Sequence, residues 1–130
     1  MYRKNLNRLF TAIVNGYNIQ TKLVRVEKTY FIHAILKFLL DQGYIFGYFL
    51  KKNNDKFFFV ELKYKRNGFN FLYFFKNFHL LHRKTFISYH QLVRNYRHSF
   101  NYVLTTEIGI ITGNMAVYYR IGGFVLFKLC

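Results

Sequence analysis

The sequence predicts an α+β protein of two small lobes, a helix-strand-helix-strand-strand lobe over residues 1–66 and a mostly antiparallel sheet with a short helix over residues 67–130. Three observations lead there. Apolar residues within the first 40 positions recur at helical spacing. From Tyr44 onward they come in short aromatic and β-branched bursts cut by polar turns. No Pro- or Ser-rich linker interrupts the chain, so the boundary is placed near Lys65–Gly68.

Leu6, Leu9, Phe10, Ile13 and Val14 form one apolar stripe, which predicts a first helix over Asn5–Asn15 with a basic outer face and Gly16 as its stop. Lys22–Val26 alternates as a short strand. Thr29 is placed to cap a helix running to about Leu40, with Phe31, Ile32, Ile35, Leu36 and Leu39 buried, and Gly43 ends it. Tyr44–Lys51 and Lys56–Tyr64 read as a hairpin around Asn53-Asn54-Asp55, completing a small mixed sheet. After a turn at Asn67-Gly68, strands are expected over Phe69–Phe75, Asn101–Thr106, Ile108–Thr112 and Phe124–Leu129. Gly113–Tyr119 is expected to be the short helix.

Composition narrows the partners. Twenty Lys and Arg stand against five Asp and Glu, a formal +15, yet 52% of residues are hydrophobic, so this is a folded basic protein and not a disordered basic tail. Nucleic acid is the first candidate counter-charge, since phosphate contacts scale with the cations offered, and an anionic membrane surface is the second. The distribution is uneven: from Asn101 onward only Arg120 and Lys128 oppose Glu107, so nearly all the excess lies before that point. Between Lys76 and Phe100 five cations and no acid alternate with Phe78, Phe86, Tyr89 and Tyr96, a composition that suits RNA, although most of these rings read as core. No apolar run reaches the roughly 18–20 residues that span a bilayer, and the chain is expected to be soluble or peripheral.

Catalytic chemistry is not indicated. The five acids are scattered singly, and Ser88 and Ser99 are the only serines, with His90 and His98 as unremarkable neighbours. His79 and His82 have helical ligand spacing in a region that reads as strand or loop, where an offset of three points to opposite faces. The lone Cys130 excludes an internal disulfide and a multi-cysteine zinc site, and neither a P-loop nor a dinucleotide-binding glycine motif occurs. No cofactor, no metal and no enzymatic activity are expected. Abundant Phe, Tyr, Asn and Lys with no Pro or Trp and three Ala point to an A/T-rich gene, as in an organellar genome or an A/T-rich bacterium.

Four stretches carry a resemblance. L-F-T-A-I-V-N-G from Leu9 to Gly16 resembles M-L-T-R-I-R-N-G of the small-subunit ribosomal protein S8 family. Ala34–Ile45 is similar to its A-I-A-x-V-L-x-x-E-G-F-I, and Glu61–Tyr64 resembles its L-x-L-K-Y strand end. Val103–Cys130 resembles its I-L-S-T-S-x-G-I-L-T-D-x-x-A-R-x-x-x-V-G-G-E-V-L, with Thr105, Thr106, Gly109, Thr112, Ala116, Gly122 and Gly123 in register. The resemblance runs from about Arg8 to Cys130 and leaves no room for a removable leader, although an acid-free, Arg-containing start also fits an import presequence.

The resemblance implies a scaffold that binds the central domain of small-subunit ribosomal RNA beside neighbouring small-subunit ribosomal proteins, without homo-oligomerisation. It places the hydroxyl turn and the Gly-Gly turn in an RNA minor groove, where recognition through 2′-hydroxyls and shape is feasible. The expected RNA-binding residues are Thr105, Thr106, Gly109, Gly122 and Gly123 in the near-neutral segment, with Lys28, Thr29, Arg83, Lys84, Arg94, Arg97, Arg3 and Lys4 supplying charge and polar contacts. The chain departs from the family pattern at Glu107 and Phe124, at Ala12 and Val14 where the family has arginines, at Glu27-Lys28-Thr29-Tyr30 in place of P-S-S-K, and at Leu81-His82 in place of Pro-Gly. These departures and the A/T-rich usage lead to the expectation of a mitochondrial ribosome in the organelle matrix, with a bacterial or plastid ribosome as the alternative. A maturation factor with the same fold is the functional rival. A membrane-surface protein is the distant one, because it should show a strongly amphipathic helix and no polar turn motif.

Overall fold

A computed structural model of the chain describes residues 2–64, 79–80, 85–95 and 102–128, excluding the side chains of residues 2, 3, 54, 79, 80 and 128. The chain divides into two compact units, residues 1–76 and 77–130. The boundary expected near residue 66 and the strand expected at Phe69–Phe75 lie outside the described residues.

In the first unit α1 (Tyr2–Asn18) and α2 (Tyr30–Asp41) cover one face of a sheet made of β1 (Leu23–Glu27), β2 (Ile45–Lys51) and β3 (Asn54–Leu62). Leu6, Leu9, Phe10, Ile13 and Tyr17 of α1 are buried, as are Ile32, Ile35, Leu36, Phe38 and Leu39 of α2. They meet Val24, Val26, Phe58, Val60 and Leu62, the alternate positions of β1 and β3 that period-two geometry sends to one face. Phe38, not Phe31, completes the buried stripe of α2. The strand order is β1-β3-β2 with both pairings antiparallel, which corrects the expected mixed sheet. The reason is topological: β3 inserts between β1 and β2, so the two parallel strands joined through α2 never touch.

Helix ends are set by backbone geometry. Thr29 Oγ1 accepts the Ile32 N–H at 3.0 Å, the expected cap of α2, and Gly43 closes it at φ +82° while Tyr44 N–H donates to Leu39 O. α1, by contrast, does not stop at Gly16. It runs to Asn18 and ends with Gln20 in the left-handed region at φ 58°, where Thr21 N–H donates to Gly16 O and Gln20 N–H to Tyr17 O. Gly16 serves packing instead, since a Cβ there would lie 2.4 Å from Val24 Cγ2 and 3.0 Å from Leu62 Cδ1. Helix α1 thus lies on the sheet at a distance that only a bare backbone allows. Tyr17 locks the same corner: its buried hydroxyl donates to Lys63 O at 2.6 Å, and its ring meets Tyr64 edge-on at 5.2 Å.

In the second unit the described strands β4 (His79–Leu80), β5 (Phe86–Ile87), β6 (Tyr102–Thr106), β7 (Gly109–Thr112) and β8 (Gly123–Lys128) form an antiparallel sheet with β8 central. It pairs with β4 and β5 on one side and with β6 on the other, and β7 follows β6. Helices α3 (Tyr89–Arg94) and α4 (Gly113–Tyr119) pack together over it, burying Leu92 and Ala116 against Leu104 and Val125. The sheet and α4 match the expected lobe, while α3 was not foreseen. Its signal is the Ser88-x-x-Gln91 capping box, in which Ser88 Oγ accepts the Gln91 N–H and Gln91 Oε1 accepts the Ser88 N–H.

Two substitutions test the first unit by sign. Gly16→Ala should lower stability by about 1–3 kcal/mol through overpacking, although helix propensity alone would raise it by about 1 kcal/mol. Gln20→Gly should raise stability by about 0.5–1 kcal/mol by relieving the left-handed residue. Urea unfolding midpoints of the two variants measure both.

Candidate nucleic-acid interface

The residues expected to touch RNA in the second unit converge on one end of its sheet. Thr106 pairs with Gly109 across the two-residue turn Glu107-Ile108, and Gly109 takes φ +120°, open to glycine and costly to other residues. The Thr106 hydroxyl donates to Gly109 O at 2.8 Å. Its proton is therefore committed within the turn, and the oxygen is left as an acceptor, the complement of a donor such as a ribose 2′-hydroxyl. Successive residues of a strand point to opposite faces, so Thr105 and Thr106 flank the edge of the sheet and do not share a face.

The glycine pair serves first to bring backbones together. A Cβ at Gly123 would lie 2.5 Å from Thr105 O and 2.7 Å from Thr106 Cγ2, and one at Gly122 would lie 2.4 Å from Ile87 O. Neither residue has positive φ. Steric approach alone demands glycine at these positions. Two further residues in register with the family are also accounted for by folding: Thr112 caps α4 by accepting the Met115 N–H at 3.2 Å, and Ala116 is wholly buried. The left-handed residue closing α4 is Arg120, at φ 60°. Of the shared residues, Thr105, Thr106 and Gly109 remain as surface that the fold does not require for packing.

The register adds residues that sequence reasoning had assigned elsewhere. Thr105 stands opposite Phe124, and Phe124 opposite Phe86, so the three lie in one row on one face. Phe86 is 55% exposed and Phe124 37%, their rings edge-to-face at 5.2 Å. Phe86 was read with the core aromatics, and Phe124 only as the loss of a family glutamate. No one-dimensional signal marks them, because their adjacency comes from β5 pairing with β8 over more than thirty residues. Arg94, exposed in the last turn of α3, is a cation of this unit.

In the first unit, Lys4 is exposed on α1 one turn before Arg8, and Lys28 is exposed just ahead of the Thr29 cap. Arg8 and Thr29 line a shallow cleft between α1, β1 and the start of α2, which makes Arg8 an additional candidate. Thr29 Oγ1 is already an acceptor for the helix, leaving its hydroxyl proton to donate. Arg83, Lys84 and Arg97 lie outside the described residues, as does the Arg3 side chain.

Among the described residues, several groups that could take part in chemistry already have structural partners. Ser88 is occupied as a helix cap, Glu27 pairs with Arg8 at 3.7 Å, and Glu61 with Lys22 at 3.8 Å. Among the described residues no group of three His, Cys, Asp or Glu could hold a metal ion, and no helix is long and apolar enough to cross a membrane. Burial holds the Tyr17, Tyr44 and Tyr48 phenols above the ordinary tyrosine range, so these hydroxyls stay protonated and act only as donors or acceptors.

The model of the family described as ribosomal protein S8 matches residues 4–130. The chain is 33% identical over 118 residues to small ribosomal subunit protein uS8 of Ehrlichia chaffeensis, covering 89% of each chain, and 32% identical over the same length to that of Ehrlichia canis. To uS8 of Ehrlichia ruminantium it is 50% identical over 56 residues, 42% of each chain.

The glycine argument predicts that Gly123→Ala lowers the melting temperature even in the absence of RNA, because its methyl collides with backbone at Thr105. A loss of about 1–3 kcal/mol is expected, whereas Thr105→Ala should cost far less. Thermal unfolding of the free protein separates the two.

Proposed function

The chain belongs to the ribosomal protein S8 family, and from that membership we propose that it is a structural component of the small ribosomal subunit. It binds the central domain of small-subunit ribosomal RNA and is held beside neighbouring ribosomal proteins. The observation that carries the site is the sheet end at Thr105, Thr106 and Gly109: it is polar, nearly uncharged and not demanded by packing. An A-form minor groove is wide and shallow and presents 2′-hydroxyls, so an edge offering hydroxyl acceptors and bare backbone is its complement. The cations lie elsewhere in the chain and hold phosphates, setting affinity and orientation while the sheet end reads shape. The role is one of binding and organisation, with no chemical turnover.

The residue usage and the departures from the family pattern favour a mitochondrial ribosome. The Ehrlichia relatives favour a bacterial one, the second reading. Either way, the deciding experiment is co-sedimentation: the tagged protein should travel with small ribosomal subunits and remain there in moderate salt. Fractionation of the source cells then assigns the compartment. Sedimentation only in free form, or with precursor RNA particles alone, would favour a maturation factor instead.

Two classes of variant should behave differently toward small-subunit RNA. Replacing Lys4, Lys28 or Arg94 by Gln should each reduce the slope of log affinity against log salt by roughly 0.7–0.9. Thr106→Val should cost about 1–3 kcal/mol, nearly independent of salt, since it removes hydrogen bonds and no charge. Filter-binding titrations between roughly 50 and 200 mM salt distinguish them. Equal salt dependence of the two losses would count against the division between phosphate and groove contacts.

A further inference from the structure

The helices of the first unit cover one face of the β1-β3-β2 sheet, and the opposite face has an unusual surface. Alternation sends Arg25 of β1, Phe57 and Phe59 of β3, and Phe49 of β2 to that side. Register sets Arg25, Phe59 and Phe49 in one row across the three strands. The Phe49 and Phe59 rings are stacked at 5.9 Å with 24° between their planes. The Arg25 guanidinium lies 4.5 Å from the centre of the Phe57 ring, and Lys51 Nζ lies 4.4 Å from that of Phe59. Phe49 is 42% exposed and, among the described residues, carries no cation over its ring.

We propose that this face is a second RNA-binding surface, a platform for unpaired nucleotides that is separate from the sheet end at Thr105–Gly109. Three features select this occupant. Near-parallel rings along a strand row, Phe49 exposed and Phe59 half-buried, let a base laid on Phe49 continue the stack, and every base has such a face. Arg25 and Lys51, both exposed, stand beside that stack where the phosphates of a splayed strand run. The guanidinium is itself a plane on which a base can stack. The nearby acids are each engaged by another cation, Glu27 by Arg8 of α1 and Glu61 by Lys22, and neither pairs with Arg25 or Lys51. A duplex is excluded as the main ligand because its base faces are already stacked. An apolar protein partner would bury two cations without offering them a counter-charge. The polyanionic partner proposed above is assumed, but the Thr105–Gly109 contact is not.

The test uses the full-length protein, a fluorescein-labelled oligoadenylate of about ten nucleotides, and a blunt RNA duplex as control. Phe49→Leu with Phe59→Leu should weaken oligoadenylate binding by at least about fivefold, the loss expected when one stacked base is removed. Phe49→Tyr with Phe59→Tyr keeps the rings and should bind within about twofold of the parent. Arg25→Gln and Lys51→Gln leave the core untouched and should each lower the salt slope by about 0.7. Thr106→Val should leave oligoadenylate binding unchanged, and the Leu pair should leave co-sedimentation with small subunits intact, so failure of one site is distinguishable from failure of the other. Ultraviolet cross-links from oligoadenylate should fall on the peptide carrying Phe57–Phe59. Leu and Gln variants that bind oligoadenylate like the parent would overturn the proposal. So would equal losses in the Leu and Tyr pairs, or cross-links in assembled subunits that join this face only to protein.

Discussion

Close approach of bare backbone is the constraint on which both units depend. In the second unit β8 begins so near Thr105 and the Ile87–Ser88 backbone that positions 122 and 123 admit no side chain. That contact puts β8 between β5 and β6. It aligns Phe86, Phe124 and Thr105, and it sets the turn that carries Thr106 and Gly109. In the first unit Gly16 plays the equivalent part, letting α1 lie on Val24 and Leu62. Interiors are packed at near-crystalline density, so a single methyl at such a place is not absorbed. The glycines determine where the surfaces are, and the surfaces then need few specialised residues of their own.

This separates two kinds of shared residue. A pattern in register with a family mixes residues kept for folding with residues kept for binding. Gly122, Gly123, Thr112 and Ala116 each have a complete account in packing or capping. Thr105, Thr106 and Gly109 keep a surface share beyond the turn hydrogen bond. Two departures at the sheet end fall where such a division allows them: Glu107 and Phe124 are exposed, and changing them alters what the sheet end offers.

Much of the fold was legible because local rules sufficed. Thr29 before an apolar stripe and Gly43 after it mark α2, and the polar break between two aromatic runs marks the β2–β3 hairpin, whose turn falls at Lys52-Asn53, one residue ahead of the expected centre. Besides α3, whose capping box is a local signal, three features escaped for definable reasons. Gly16 looks like a helix stop because a glycine's packing role depends on residues 8 and 46 positions away. Gln20 and Arg120, which close α1 and α4, carry no mark of the left-handed conformation in their side chains. The insertion of β3 between β1 and β2 is a matter of pairing, which periodicity cannot report. At the candidate site the same limit applies: Thr105, Thr106 and Gly109 lie close together in sequence and can be named from it, whereas Phe86 joins them only through the sheet.

The uneven charge then becomes intelligible as a division of labour. Long-range attraction from many cations raises the encounter rate with a polyanion and holds it, but phosphates are alike at every position, so charge alone cannot choose a site on RNA. Selection requires contacts whose strength depends on geometry, and those are strongest where no strong Coulomb term rewards a misplaced partner. On the proposed reading, a sheet end with the Thr106 proton committed to its turn and a close-packed glycine edge is such a place, fitted to one groove shape. On that reading the basic remainder of the chain can be large and permissive, because selection falls to the small near-neutral sheet end.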